Sequence, residues 1–128
     1  MARILIVDDY ADIRLVLAAA LEDEHTVITA TDGEDGLATF LAQPVDLVLT
    51  DMSMPKMTGP ELITAIHQHA PHTPIIGMTA GLHPSLIQME QDRLRIQGFF
   101  SKPMELHDLR RTIAEVLRTH ATVVDSAA

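Results

Sequence analysis

The chain has 128 residues, 47% hydrophobic and 21% charged, with no cysteine and a formal net charge of −9. A chain of this length closes one core without staples, and the missing cysteine excludes disulfides, thiolate metal sites and cysteine nucleophiles. The acidic balance argues against a nucleic-acid surface and against docking on anionic lipid, but not against binding a cation.

In chain order, Ile4-Leu5-Ile6-Val7 is an apolar run without alternation, which predicts a strand covered on both faces. It stops at Asp8-Asp9-Tyr10. Ile13, Leu17, Ala20 and Leu21 then share one helical face. His25–Thr29 predicts a second, weaker strand, and Thr31 with Glu34 reads as a capping box ahead of a helix striped by Leu37, Phe40 and Leu41. Val45–Thr50 is the third strand and ends at Asp51. A second capping box, Thr58 with Glu61, opens a helix striped by Leu62, Ile63 and Ile66. Pro74–Met78 is the fourth strand, weakened by Gly77 and followed by Thr79.

Pro84 suits a first helical turn. The apolar residues that follow it (Leu86, Ile87, Met89, Leu94, Ile96) hold no single phase, and Asp92-Arg93-Leu94-Arg95 carries no stop signal. Gly98–Phe100 is a short fifth strand before Lys102, and Leu106, Leu109, Ile113, Val116 and Leu117 form the cleanest helical stripe. Five strands alternating with five helices predict an α/β fold, a doubly wound parallel sheet over residues 1–119. Residues 120–128 are weakly patterned and are expected to fray or to begin a linker. The longest apolar run, Leu15 to Leu21, is seven residues, against the roughly 20 that a spanning helix needs. The apolar run after Arg3 is too short for a signal peptide, so the expected location is cytoplasmic, away from the membrane.

In an open α/β sheet, ligands bind beyond the carboxyl ends of the strands. Asp8, Asp9, Asp51, Thr79 and Lys102 all follow strands, so one edge collects carboxylates, a hydroxyl and an ammonium. Carboxylates so close repel, and either a proton or a cation must compensate them. An all-oxygen set suits a hard cation such as Mg²⁺. A carboxylate can then act as nucleophile toward a phosphoryl group whose developing charge Lys102 and Thr79 would meet.

These segments resemble the receiver domain of two-component response regulators. The resemblance rests on Ile4 to Asp9, Asp46 to Asp51 with Met52-Ser53-Met54-Pro55, Thr58-Gly59, Pro74 to Ala80, and Phe99-Phe100-Ser101-Lys102-Pro103. It implies a flavodoxin-like strand order, 2-1-3-4-5. It implies Asp51 as phosphoacceptor, and Mg²⁺, or Mn²⁺ in its place, held by Asp8, Asp9, Asp51 and the Ser53 backbone carbonyl. Thr79 and Lys102 would contact the phosphoryl group, Thr79 and Phe99 would switch with it, and the Lys102-Pro103 bond would be cis. The phosphoryl group would come from a sensor histidine kinase or a histidine phosphotransfer protein. A surface built from the fourth helix, fifth strand and fifth helix would pass the change to an unidentified downstream protein or into a phosphorylation-dependent homodimer. Such a domain catalyses only its own phosphorylation and dephosphorylation.

Tyr10, Gly77 and Arg95-Ile96-Gln97 depart from the family's usual residues, and the small Ser53 and Gly81 predict no special shielding of the phosphoryl group from water. A phosphatase of the haloacid dehalogenase type would need an acid where Ser53 stands, and a flavodoxin-like cofactor binder would not place Asp8-Asp9 in its phosphate loop. His67, His69 and His72 have poor metal spacing and suit a helix C-terminus.

Overall fold

In a computed structural model, the backbone of residues 2–127 and the side chains of residues 2–120 are described. The elements are β1 (Arg3–Val7), α1 (Ala11–Leu21), β2 (Thr26–Ala30), α2 (Gly33–Ala42), β3 (Leu47–Asp51), α3 (Gly59–His69), β4 (Ile75–Ala80), α4 (Pro84–Leu94), β5 (Gly98–Lys102) and α5 (Leu106–Ala127). The tail expected from residue 120 onward lies, beyond His120, outside the described side chains.

All strands pair in parallel in the order β2-β1-β3-β4-β5. The continuous apolar runs now have a cause. Successive strand side chains point to opposite faces, so Leu5, Val7, Val48 and Ile75 meet Leu62, Ile63 and Ile66 of α3 on one face. Ile4, Ile6, Leu47, Leu49, Ile76 and Met78 meet Leu17 and Leu21 of α1 and Leu109 and Ile113 of α5 on the other. Both layers are buried, and each such side chain contributes about 1.5–3 kcal/mol on burial.

Several local expectations shift. The fourth strand runs Ile75–Ala80 rather than Pro74–Met78 and the fifth reaches Lys102 rather than Phe100, so Asp51, Thr79 and Lys102 lie among the last residues of their strands and not after them. The second strand starts at Thr26, because His25 instead takes the Ala2 N–H on its Nδ1 at 3.2 Å. The third starts at Leu47, since the Asp46 carboxylate caps the Arg3 N–H at 2.8 Å. The capping box expected of Thr31 and Glu34 does not form: Asp32 is the N-cap of α2 and accepts from the Asp35 N–H at 2.8 Å, while the Asp35 carboxylate reaches back past the cap to accept the Thr31 N–H at 2.9 Å. Aspartate competes well for this position, and here it displaces threonine. The α3 box forms as expected, with Thr58 and Glu61 exchanging bonds of 2.9 and 3.3 Å.

The unpatterned segment is a helix that buries no residue completely. That explains the missing phase: α4 lies on the core edge through Ile87 and Leu94 and shows Leu86 and Met89 to solvent. It stops because Arg95 turns left-handed, with φ 58°, and the Ile96 N–H closes on the Gln91 carbonyl at 3.2 Å. Glycine is the usual residue at such a turn, which is why the sequence showed no stop.

Candidate functional site

The carboxyl edge of the sheet is built from the last residues of β1, β3, β4 and β5. Beyond Val7, Asp8 is fully buried, and Asp51, closing β3, is 5% exposed. Asp8, Asp9 and Asp51 each offer a carboxylate oxygen within 4.8 Å of the others, the only such set of three metal-ligand side chains among the described residues. His67, His69 and His72 do not converge in this way.

Lys102 arrives from β5 and spans the site. Its Nζ donates to Asp8 Oδ2 at 2.9 Å and stands 3.1 Å from Asp51 Oδ1. The Asp8 Oδ1 accepts the Tyr10 N–H at 3.0 Å, so both its oxygens are occupied. Asp9 differs: its Oδ1 is buried and has no hydrogen-bond partner. Three carboxylates thus face one ammonium, and a buried oxygen of Asp9 is left without a donor.

Burial pushes the Asp51 carboxyl above its ordinary range; the Lys102 ammonium pulls it back, and Asp8 and Asp9 push it up further. For Lys102, burial works against the charge, but its bonds to Asp8 and Asp51 prevail and hold its pKa above the ordinary value. Each group thus favours a state that lowers the net negative charge in the pocket. A divalent cation would meet the same need, and the orphaned Asp9 oxygen and the all-oxygen donor set fit one.

The other expected residues take defined places. Thr79 pairs in register with Ser101 near the end of β4, beside Lys102's strand. Ser53 is exposed, two residues past Asp51. Phe99 is 7% exposed and packs with Met54 and Ile96, on the face of the sheet that α3 covers. Gly77 leaves room for its neighbours: a Cβ there would stand 3.0 Å from the Met52 methyl and 3.6 Å from the Phe99 ring. The Lys102-Pro103 peptide is cis.

Two contributors had no role assigned from sequence. Gly59 is needed because a Cβ would lie 2.4 Å from the Asp51 carbonyl, so only glycine lets α3 begin against the strand end; the signal was its place between Thr58 and Pro60. Arg14 donates from Nη1 to the Asp8 carbonyl at 2.6 Å, and its spacing from Asp8 gave no signal without the three-dimensional turn.

The sequence profile of the response regulator receiver domain matches residues 4–114. The sensor histidine kinase AruS of Pseudomonas aeruginosa is 35% identical over 97% of this chain, which spans 13% of that protein. The transcriptional regulatory protein GlrR of Escherichia coli is 32% identical, again over 97% of this chain and 28% of its own length. Among solved structures, the chemotaxis protein CheY4 of Vibrio cholerae superposes with a TM-score of 0.81 at 32% identity, over 91% of this chain and 98% of that one. A receiver domain from Clostridium thermocellum gives 0.86 at 27%, covering 96% and 99%.

Proposed function

The chain belongs to the response regulator receiver domain family, whose general function is phosphoryl transfer to an aspartate, and we propose that in this chain the acceptor is Asp51. A phosphohistidine on a sensor histidine kinase or histidine phosphotransfer protein is the donor. An Asp51 carboxylate oxygen attacks phosphorus, the N–P bond breaks, and the imidazole leaves. Asp8, Asp9 and Asp51, with the Ser53 carbonyl, would hold Mg²⁺, or Mn²⁺ in its place, which neutralises charge on the transferring group. Lys102 releases Asp51 and follows the new phosphoryl oxygens. Thr79 donates its hydroxyl to them.

The observation that carries this reading is the pairing of a saturated Asp8 with an orphaned Asp9 oxygen around the Lys102 bridge. The site answers added charge rather than a diffusible substrate, so the domain acts as a switch and not as an enzyme on others. A groove of about 320 Å³ beside Lys102, lined by Ile13, Val16, Pro103, Met104 and Leu106, suits the donor protein. Thr79 and Phe99 relay the change to α4, β5 and α5, where exposed Leu86 and Met89 meet a downstream protein or a second phosphorylated copy. The setting for such a relay is the cytoplasm.

The test is intact mass after incubation with acetyl phosphate, in Mg²⁺ and in EDTA, beside Asp51→Asn. One base-labile phosphoryl adduct, present only with Mg²⁺ and lost in the variant, is expected. An adduct that survives Asp51→Asn, or none at all, overturns the assignment.

A further inference from the structure

We propose that Arg14 is a positioning residue: it fixes the peptide plane that joins Asp8 to Asp9, and so sets the pose in which the two carboxylates face a cation. The proposal rests on the reading that these carboxylates hold a divalent metal.

The strand registers of β1 with both neighbours end at Val7. Past that point the ladder no longer orients the backbone, although the Asp8 N–H still reaches the Ala30 carbonyl at 3.3 Å. The Asp8 carbonyl is held instead by a side chain, the Arg14 guanidinium at 2.6 Å. That carbonyl belongs to the peptide between the two aspartates. The Asp8 carboxylate is tied down separately, through Tyr10 and Lys102. Rotation of the peptide plane would therefore move Asp9 relative to Asp8. Asp9 cannot resist through its buried Oδ1, which has no partner.

Arg14 is itself well anchored. Its N–H reaches the Tyr10 carbonyl at 3.1 Å in the first turn of α1, and its side chain is half-buried. The guanidinium binds a carbonyl and not one of the three carboxylates, so it orients the corner without occupying a ligand oxygen. Groups that orient metal ligands in this way typically change metal affinity about 10–100-fold when removed.

The test uses the full chain with Arg14→Met, which keeps the apolar stem, and Arg14→Lys, which keeps a charged donor. Mg²⁺ alone is titrated calorimetrically, and amide hydrogen exchange is followed in EDTA. Arg14→Met is expected to weaken Mg²⁺ binding about tenfold and to speed Tyr10 amide exchange by a similar factor, with Leu49 and Ile113 amides unchanged. Arg14→Lys should recover most of both. Wild-type affinity in Arg14→Met overturns the proposal, as does a loss matched by equally faster exchange at Leu49 and Ile113. If Asp9→Asn binds Mg²⁺ as wild type does, the metal reading itself fails, and the proposal with it.

Discussion

The two ends of the sheet's carboxyl edge are built in opposite ways. Around β1 and β3, every group of Asp8 is engaged: its N–H with Ala30, its carbonyl with Arg14, its oxygens with Tyr10 and Lys102. Across β4, the chain leaves Ala80 through Gly81 at φ 73°, enters a helix with no fully buried residue, and leaves that helix through a left-handed Arg95. A charge-bearing corner that must keep its geometry is held by several independent bonds. The neighbouring segment is held by few such bonds and so opens at smaller cost.

Removing the Lys102 ammonium tests the tight end most severely. Lys102→Met leaves the buried Asp8 carboxylate without its counter-charge, and a loss of about 3–5 kcal/mol is expected in urea unfolding. A loss below 1 kcal/mol would mean that the buried corner does not depend on the Lys102 ammonium.

Two glycines then divide the ends directly. Gly59→Ala drives a Cβ to 2.4 Å from the Asp51 carbonyl and 2.6 Å from the Met52 Cα, both backbone atoms that cannot swing away. A cost of about 2–3 kcal/mol follows. Gly81→Ala meets nothing within 4 Å and suffers only from its positive φ, so about 1 kcal/mol is expected. Equal costs would erase the distinction.

A smaller effect comes from Asp51. Its pKa is raised in the fold, so the folded state binds its proton more tightly than the unfolded state does. The ionised group therefore weakens the fold at neutral pH, and this penalty disappears as pH falls through the raised value. In EDTA, Asp51→Asn should melt a few degrees above wild type at neutral pH, with the gap closing in acid and shrinking again when Mg²⁺ is added to both. A gap that widens in acid would reverse the sign of the argument.

The smallest change lies at the loose end. Arg95→Gly relieves a left-handed non-glycine residue and should stabilise by about 1 kcal/mol or less. Amide exchange should slow in α4 while the β1 and β3 amides stay as they were.

Much of this division was legible in the sequence. Ile4–Val7 and Val45–Thr50 announced central strands because both sheet faces are covered, and a strand's end is where a carboxylate is noticed. Asp8, Asp9, Asp51 and Lys102 could be gathered to one edge by topology alone. The rest needed coordinates. Asp32 and Thr31 are both good caps, and only backbone geometry chose between them. A helix that rests on the core edge through Ile87 and Leu94 has no stripe to read. Arg14 is six residues from Asp8, a spacing that means nothing until the chain turns from strand to helix and brings a guanidinium back under the carbonyl.

The bond between Lys102 and Asp8 joins residues 94 positions apart. A ribosome delivers them in that order, the carboxylates well before the ammonium. Until the fifth strand is made, the acidic corner has no lysine to answer it and its parts repel. The final strand therefore brings the counter-ion as well as the sheet's edge, and a nascent chain cut short before Lys102 carries its own electrostatic mark of incompleteness.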